Sequence, residues 1–368
     1  MVLELPEPYS LIEDPTQAPD WWPQRPADPR DGLPWARGSR HWAGDAFVGA
    51  PGGPALWLRS VVDGKGPPAR MNAVDVCAGL VSGVDAPEPL VAEAREVCTR
   101  QAVIAANGYG SPLIEDGPAS ASERHRLLAA VVDAARRARA VPAALHLPAG
   151  NPLLEIMRDL GLAVGITDVY PTIVLAGSSI DDYLGALPHR RRIHVRREMR
   201  DMERGRGHVH VGLAAAPYLD IAAELVAYAH TNRGQHIEPA EVAASYARLL
   251  DACGDDIVLC VVEVEGVAAA SACLIQGRTD LLLYSAGIRL PLARQVAGYF
   301  NAAYYLPIGF AYEKELRRIH LGPTGTRTKH YRGARFVPLL SAVPPACTPL
   351  MALLRATDEH MRRVLEGL

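Results

Sequence analysis

Residues 257–264, 267–275 and 280–285 are three apolar runs with almost no chain between them. Glu265 and Gly266 suit a two-residue hairpin turn, and Gly277 with Arg278 begins a second turn. Parallel neighbours need a crossover of about a dozen residues or more, so linkers this short leave only an antiparallel meander. Residues 291–316 then read as one long helix, followed by strands at 318–321 and 335–339 and an amphipathic tail helix. Upstream, residues 208–211 read as a strand and 218–230 and 239–253 as helices. Helices, a meander, a long helix and a further strand make an α+β pattern.

The preceding half carries a weaker version of this order. Strands are expected at 55–62, 74–81, 141–147 and 162–166, and helices at 87–106, 122–140 and 151–160, the last closed by Gly161. After a strand at 172–175, Ser178 and Ser179 suit the cap of a helix running over 181–204 with a break near Pro188. The 368 residues fit two domains at about 150 residues each. The division is an irregular arm at 1–40, with Trp21, Trp22 and Trp35 folded onto the body, domains at 41–170 and 171–345, and a terminal helix at 346–368.

A net charge of −3 excludes a polycation, so any anionic partner must meet a local patch. The six cysteines form no C-x-x-C pair and have mostly apolar neighbours, which fits buried free thiols in a reducing cytoplasm. No leader-like opening and no apolar run of about 20 residues is present, so a cytoplasmic chain without a membrane span is expected. No His/Cys/Asp cluster has metal-ligand spacing, and neither G-x-S-x-G nor a Walker motif occurs.

Two stretches carry a family resemblance. One runs from Asp182, Tyr183, Leu184 and Leu187 through Arg190, Arg191 and Arg192 to Val195, Arg196, Arg197 and Glu198. The other joins Tyr299, Phe300, Asn301, Tyr304, Tyr305 and Pro307 to the 317–322 segment, Lys329, and Arg332 to Ala334. The chain thereby resembles the Fem-like, peptidoglycan-biosynthesis-like branch of the GNAT acyltransferases. The resemblance implies two tandem GNAT-like domains, each a mixed, mostly antiparallel sheet flanked by helices, with the catalytic site in the second. It also implies transfer of an aminoacyl group from aminoacyl-tRNA to an amine or hydroxylamine, without a tightly bound cofactor or a covalent enzyme intermediate. Acyl-CoA is the other donor within the class. The Ala286–Arg294 junction, with Gly287 as its sole glycine, lacks the glycine-rich nest that cradles a CoA pyrophosphate, which favours tRNA. A catalytically silent, anion-binding partner protein is the reading from another class.

Several residues follow as candidates. The segment from His189 to His210 sets eight arginines against three carboxylates, and Arg192, Arg196 and Arg200 fall on one helical stripe. Such a stripe either meets phosphates of the donor or is a solvated face paired with carboxylates. The Gly322 to Gly333 loop, with Thr324, Thr326, Arg327, Lys329 and Arg332, either places a cation beside a developing oxyanion or tethers the last strand. Asn301 and Tyr305 in the long helix join the donor side as candidates, or serve as core. Glu263 and Tyr284 are candidate catalytic groups, with Ser271 nearby. Glu263 either takes a proton from the attacking ammonium or ends an exposed strand. Tyr228, Asn232, Arg233 and His236 lie where related enzymes hold the acceptor.

Overall fold

The computed structural model describes residues 3–12, 45–50, 53–62, 71–80, 83–105, 111–114, 119–323 and 325–367. The arm tryptophans and Thr324 lie outside them. The first half contributes β1 (Ser10–Ile12), β2 (Asp45–Gly49), β3 (Ala55–Val62), α1 (Ala73–Cys77), α2 (Glu88–Val97), β4 (Arg100–Ile104), β5 (Leu113–Ile114), α3 (Ala121–Arg137), β6 (Val141–Pro148) and α4 (Leu153–Asp159). β7 (Ala163–Val174) leads to α5 (Ile180–Ala186), α6 (His189–Asp201), β8 (Arg206–Val211), α7 (Leu219–Thr231) and α8 (Pro239–Cys253). Next come the meander β9 (Ile257–Val264), β10 (Val267–Gln276) and β11 (Asp280–Ile288), then α9 (Leu290–Gln295) and α10 (Gly298–Phe300). A π-helical turn (Asn301–Tyr305) precedes α11 (Leu306–Glu313), β12 (Arg318–His320), α12 (Thr326–Tyr331), β13 (Arg335–Val343) and α13 (Thr348–Glu366).

All thirteen strands join one sheet, in the order β1-β2-β3-β4-β6-β13-β7-β12-β11-β10-β9-β8, with β5 against β3. Among the described residues only β4–β6 and β11–β12 pair in parallel. The expected α+β architecture of two GNAT-like halves, mostly antiparallel, is therefore the one observed. The border drawn between 170 and 171 falls inside β7. That strand pairs with β13 along most of its length and with β12 at Thr172, Ile173 and Val174. One strand bonded on both edges continues the ladder from half to half, so no linker separates them. The closing helix packs on the first half: Asp358 accepts a hydrogen bond from the Ile166 amide at 2.7 Å, and the Thr357 hydroxyl donates to the Cys77 carbonyl.

Apolar packing also crosses the halves. Phe47 and Trp57 from β2 and β3 share a buried cluster with Leu225 of α7 and Tyr246 and Leu249 of α8. Burying side chains of this size is worth roughly 2–3 kcal/mol each.

Four local expectations are corrected. The strand expected at 74–81 is absent over its described residues, 74–80; Asn72 Oδ1 accepts from the Val74 and Asp75 amides and starts α1. The helix expected over 87–106 stops at Val97, and Arg100–Ile104 becomes a strand because β3 and β6 satisfy its backbone on both edges. The strands expected at 162–166 and 172–175 are one, β7. The long 291–316 helix is broken at Val296–Ala297, where Ala297 adopts φ +47°, and again by the π turn.

Candidate active site

β11 and β12 pair only where Asp280, Leu281 and Leu282 face Arg318, Ile319 and His320. Beyond Leu282, β11 runs on to Ile288 against β10 alone, while the chain after β12 leans away, its Leu321 amide donating to Pro171. A wedge opens between them. At its apex Cys273 faces Ser285 but Leu274 faces Leu283, so Tyr284 is the extra residue of a β-bulge. Bulges bend a strand and end pairing, which is what a splayed pair requires. Leu283 to Ala286 are only half-buried in the wedge.

Helices fix the wedge on both faces. On one, the Tyr284 hydroxyl is 2.8 Å from Ser245 Oγ, and Tyr246 of α8 is hydrogen-bonded to Ser285 at 2.6 Å. A Cβ on Gly287 would sit 2.4 Å from backbone atoms of Leu225 and Val226, so only glycine lets β11 and α7 approach this closely. Gly287 is thus a packing glycine.

On the other face, the π turn inserts an extra residue into the helix and aims Asn301 and Tyr305 at α6. Asn301 Nδ2 donates to the carbonyls of Glu198 and Val296, both at 2.9 Å. The Tyr305 hydroxyl donates to Glu198 Oε2. Arg332 Nη2 donates to both Glu198 oxygens, and its Nε donates to the Tyr305 hydroxyl at 3.0 Å. The guanidinium stacks on Phe300, 3.4 Å from the ring centre, and Tyr183 donates to the Arg332 carbonyl. Burial pushes the phenols of Tyr183, Tyr304 and Tyr305 well up, against the pull of Arg332. They are neutral at any ordinary pH. Asn301, Tyr305 and Arg332, expected on the donor side, are thereby brought together in one closed network behind the wedge.

Lys329 is bound to the chain that leaves β12. Its Nζ donates to the carbonyls of Leu321 at 2.7 Å and Gly322 at 2.6 Å, and the residue is 4% exposed. Burial drives its pKa down to about 7, with Asp168 acting in the opposite sense. The segment bearing it, expected as a flexible loop, contains α12, which starts after Gly325 at φ +75°. A lysine with two N–H groups committed to carbonyls and a pKa near neutrality can give and take a proton.

The other candidates lie apart. Glu263 is on β9, two strands or roughly 10 Å from β11, with its carboxylate 3.7 Å from His208 Nε2. Ser271 is buried in β10. Tyr228, Asn232, Arg233 and His236 occupy the exposed end of α7 and the loop after it, where His236 pairs with Glu238 at 2.7 Å. On α6, Arg192 turns back to the Leu187 carbonyl, whereas Arg196 and Arg200 are exposed one turn apart. Arg191 is held by His330. Among the described residues no carboxylate pairs with Arg196 or Arg200. No group of His, Cys, Asp and Glu fit for a metal ion occurs among them, and no helix is long and apolar enough to cross a membrane.

Sequence reasoning gave no role of its own to Glu198, quoted within the arginine-rich stretch and counted as a counter-charge there, or to the buried chain Asp280–His320–Thr172. In that chain the imidazole bridges at 3.0 and 3.2 Å. The available signal for Glu198 was its place on the same helical stripe as Val195 and Met202, which turns it inward.

The model of the FemAB-like family, described as peptidoglycan biosynthesis/recognition, matches residues 113–359. No curated protein matches the chain in sequence. Among solved structures, FemX is 11% identical, with 84% of this chain and 90% of that one covered at a TM-score of 0.52. L-PGS from Bacillus licheniformis is 10% identical, with 86% and 90% covered at a TM-score of 0.53. At these identities the likeness is one of fold.

Proposed function

Because the chain belongs to the FemAB-like family and has the GNAT fold of Fem-like acyltransferases, we propose that it moves an aminoacyl group from aminoacyl-tRNA to an amine or hydroxylamine. The observation that carries this reading is the bulged wedge between β11 and β12, with Lys329 bound to the carbonyls of the chain that leaves β12. A strand edge whose backbone groups lack a neighbouring strand can hold an extended acyl donor and offer N–H groups to a carbonyl oxygen.

The acceptor nitrogen attacks the ester carbonyl and a C–N bond forms. The carbon–oxygen bond to the ribose then breaks, and the 3′ oxygen leaves as a hydroxyl after taking a proton. The attacking ammonium must first lose a proton. Lys329, with its pKa near 7, suits that step better than Glu263, which lies two strands away. Exposed Arg196 and Arg200 supply phosphate contacts for the donor. The buried knot of Glu198, Tyr305 and Arg332 holds the helix behind the wedge and acts through position.

The test offers the full chain labelled aminoacyl-tRNA and labelled acetyl-CoA beside a panel of small amines. Label transfer from tRNA alone supports the proposal. Transfer from acetyl-CoA, with a thermal upshift on adding CoA, replaces it by the acyl-CoA reading. Transfer from neither, with tRNA still bound, leaves the silent anion-binding partner.

A further inference from the structure

Away from the wedge, two cysteines 249 positions apart meet. Cys98 Sγ and Cys347 Sγ are 3.3 Å apart and buried. Cys98 ends α2, and Cys347 is the N-cap residue of α13, a helix of 19 residues. A cavity of about 580 Å³, walled by Asn72, Asp75, Arg95, Cys98 and Gln101, borders the Cys98 side of the pair. From the approach of the two sulfurs we propose that Cys98 and Cys347 form a redox-active dithiol that a small hydroperoxide oxidises to a disulfide.

The two thiols are placed for different parts. The Cys98 S–H and the Leu350 backbone N–H at the start of α13 favour the Cys347 thiolate and hold its pKa below the ordinary thiol value, in spite of burial. That sulfur is the nucleophile. It attacks the terminal oxygen of the hydroperoxide, the O–O bond breaks, and the alkoxide leaves as the alcohol after protonation. Cys347 is then a sulfenic acid. The Cys98 sulfur attacks it, the S–S bond forms, and hydroxide leaves as water with the Cys98 proton. Two thiols have lost two electrons and two protons to one hydroperoxide. Cys77, the third sulfur nearby, is fully buried and its thiol is pushed well up, so it stays protonated.

The disulfide would tie the helix on β7 to the first half across a very long loop, where a cross-link most restricts the unfolded chain. A rise in Tm of roughly 5 °C is expected.

The test treats the reduced full-length chain with hydrogen peroxide and reads intact mass and cross-linked peptides without reductant. The expected result is a mass loss of two hydrogens, one Cys98–Cys347 peptide pair, reversal by dithiothreitol, and the Tm shift. Cys77→Ala should keep all of these. Cys98→Ser should stop at a sulfenic acid on Cys347 that dimedone traps, and Cys347→Ser should do neither. Each serine variant is first checked for the reduced wild-type circular dichroism. No mass loss, a link through Cys77, or oxidation that persists in Cys347→Ser would overturn the assignment.

Discussion

Arg332 Nη2 donates to both carboxylate oxygens of Glu198, at 2.6 and 2.7 Å, between residues 134 positions apart. Both side chains are almost fully buried, at 3% and 7% exposure. Removing one partner leaves an unpaired charge inside the fold. Glu198→Ala is therefore expected to lose about 3–5 kcal/mol of stability. Arg332→Lys should lose much of the same amount, since an ammonium cannot form the fork or stack on Phe300. Denaturant midpoints check both; a loss under 1 kcal/mol would mean that the network is loose.

Gly287→Ala tests the close approach of β11 and α7. The new methyl collides with backbone, which cannot rotate aside, so a loss of about 1–3 kcal/mol is expected. Alanine at Gly266, on an open turn, serves as the comparison for left-handed strain without collision.

Lys329 fixes a pH dependence. Its folded-state pKa is lowered from 10.5 to about 7, so between these values the unfolded chain binds more protons than the folded one. Its cost to stability is full below pH 7 and is relieved as pH rises toward 10.5. Relative to Lys329→Met, the parent chain should gain about 2 kcal/mol between pH 7 and pH 9. Unfolding titrations at the two pH values check this, and an unchanged difference would place the ammonium in contact with solvent.

If Lys329 takes the acceptor proton, Lys329→Met should lose kcat by a factor on the order of 10² or more. The parent rate should rise through pH 7 and level off. Glu263→Gln should change kcat by less than about twofold, because its carboxylate is two strands from the wedge. The reverse pattern in single-turnover rates would exchange the two roles.

Arg196→Glu with Arg200→Glu should raise KM for a tRNA donor by about tenfold or more and lower the salt slope of binding by about 2. Arg192→Ala should matter less, since its guanidinium is turned to the Leu187 carbonyl. Filter binding over a salt series measures both.

Local chemistry settled much of this protein without any fold in view. Glu265 and Gly266 forced the hairpin at the start of the meander, and Ser179 with Asp182 caps α5 as the sequence led one to expect. Lys329 could be singled out because it lies in a segment of several cations after a core strand, in a stretch that carries the family resemblance. Its burial could not, since that depends on the carbonyls of Leu321 and Gly322 folding over it. A splayed strand pair was implied by the family resemblance, but that β11 and β12 form it was not. Their split rests on one uncounted residue, Tyr284, and on β7 drawing Leu321 away.

The sequence by itself determined the short hairpin turn of the meander and the capped start of α5, because those forces act within a few residues. Only the tertiary structure decided that Glu198 would be an anchor for Arg332, that Gly287 would be a contact, and that β7 would serve both halves. Burial, charge pairing and strand partnership are properties of neighbours brought from far along the chain, and their energies exist only after that approach has been made.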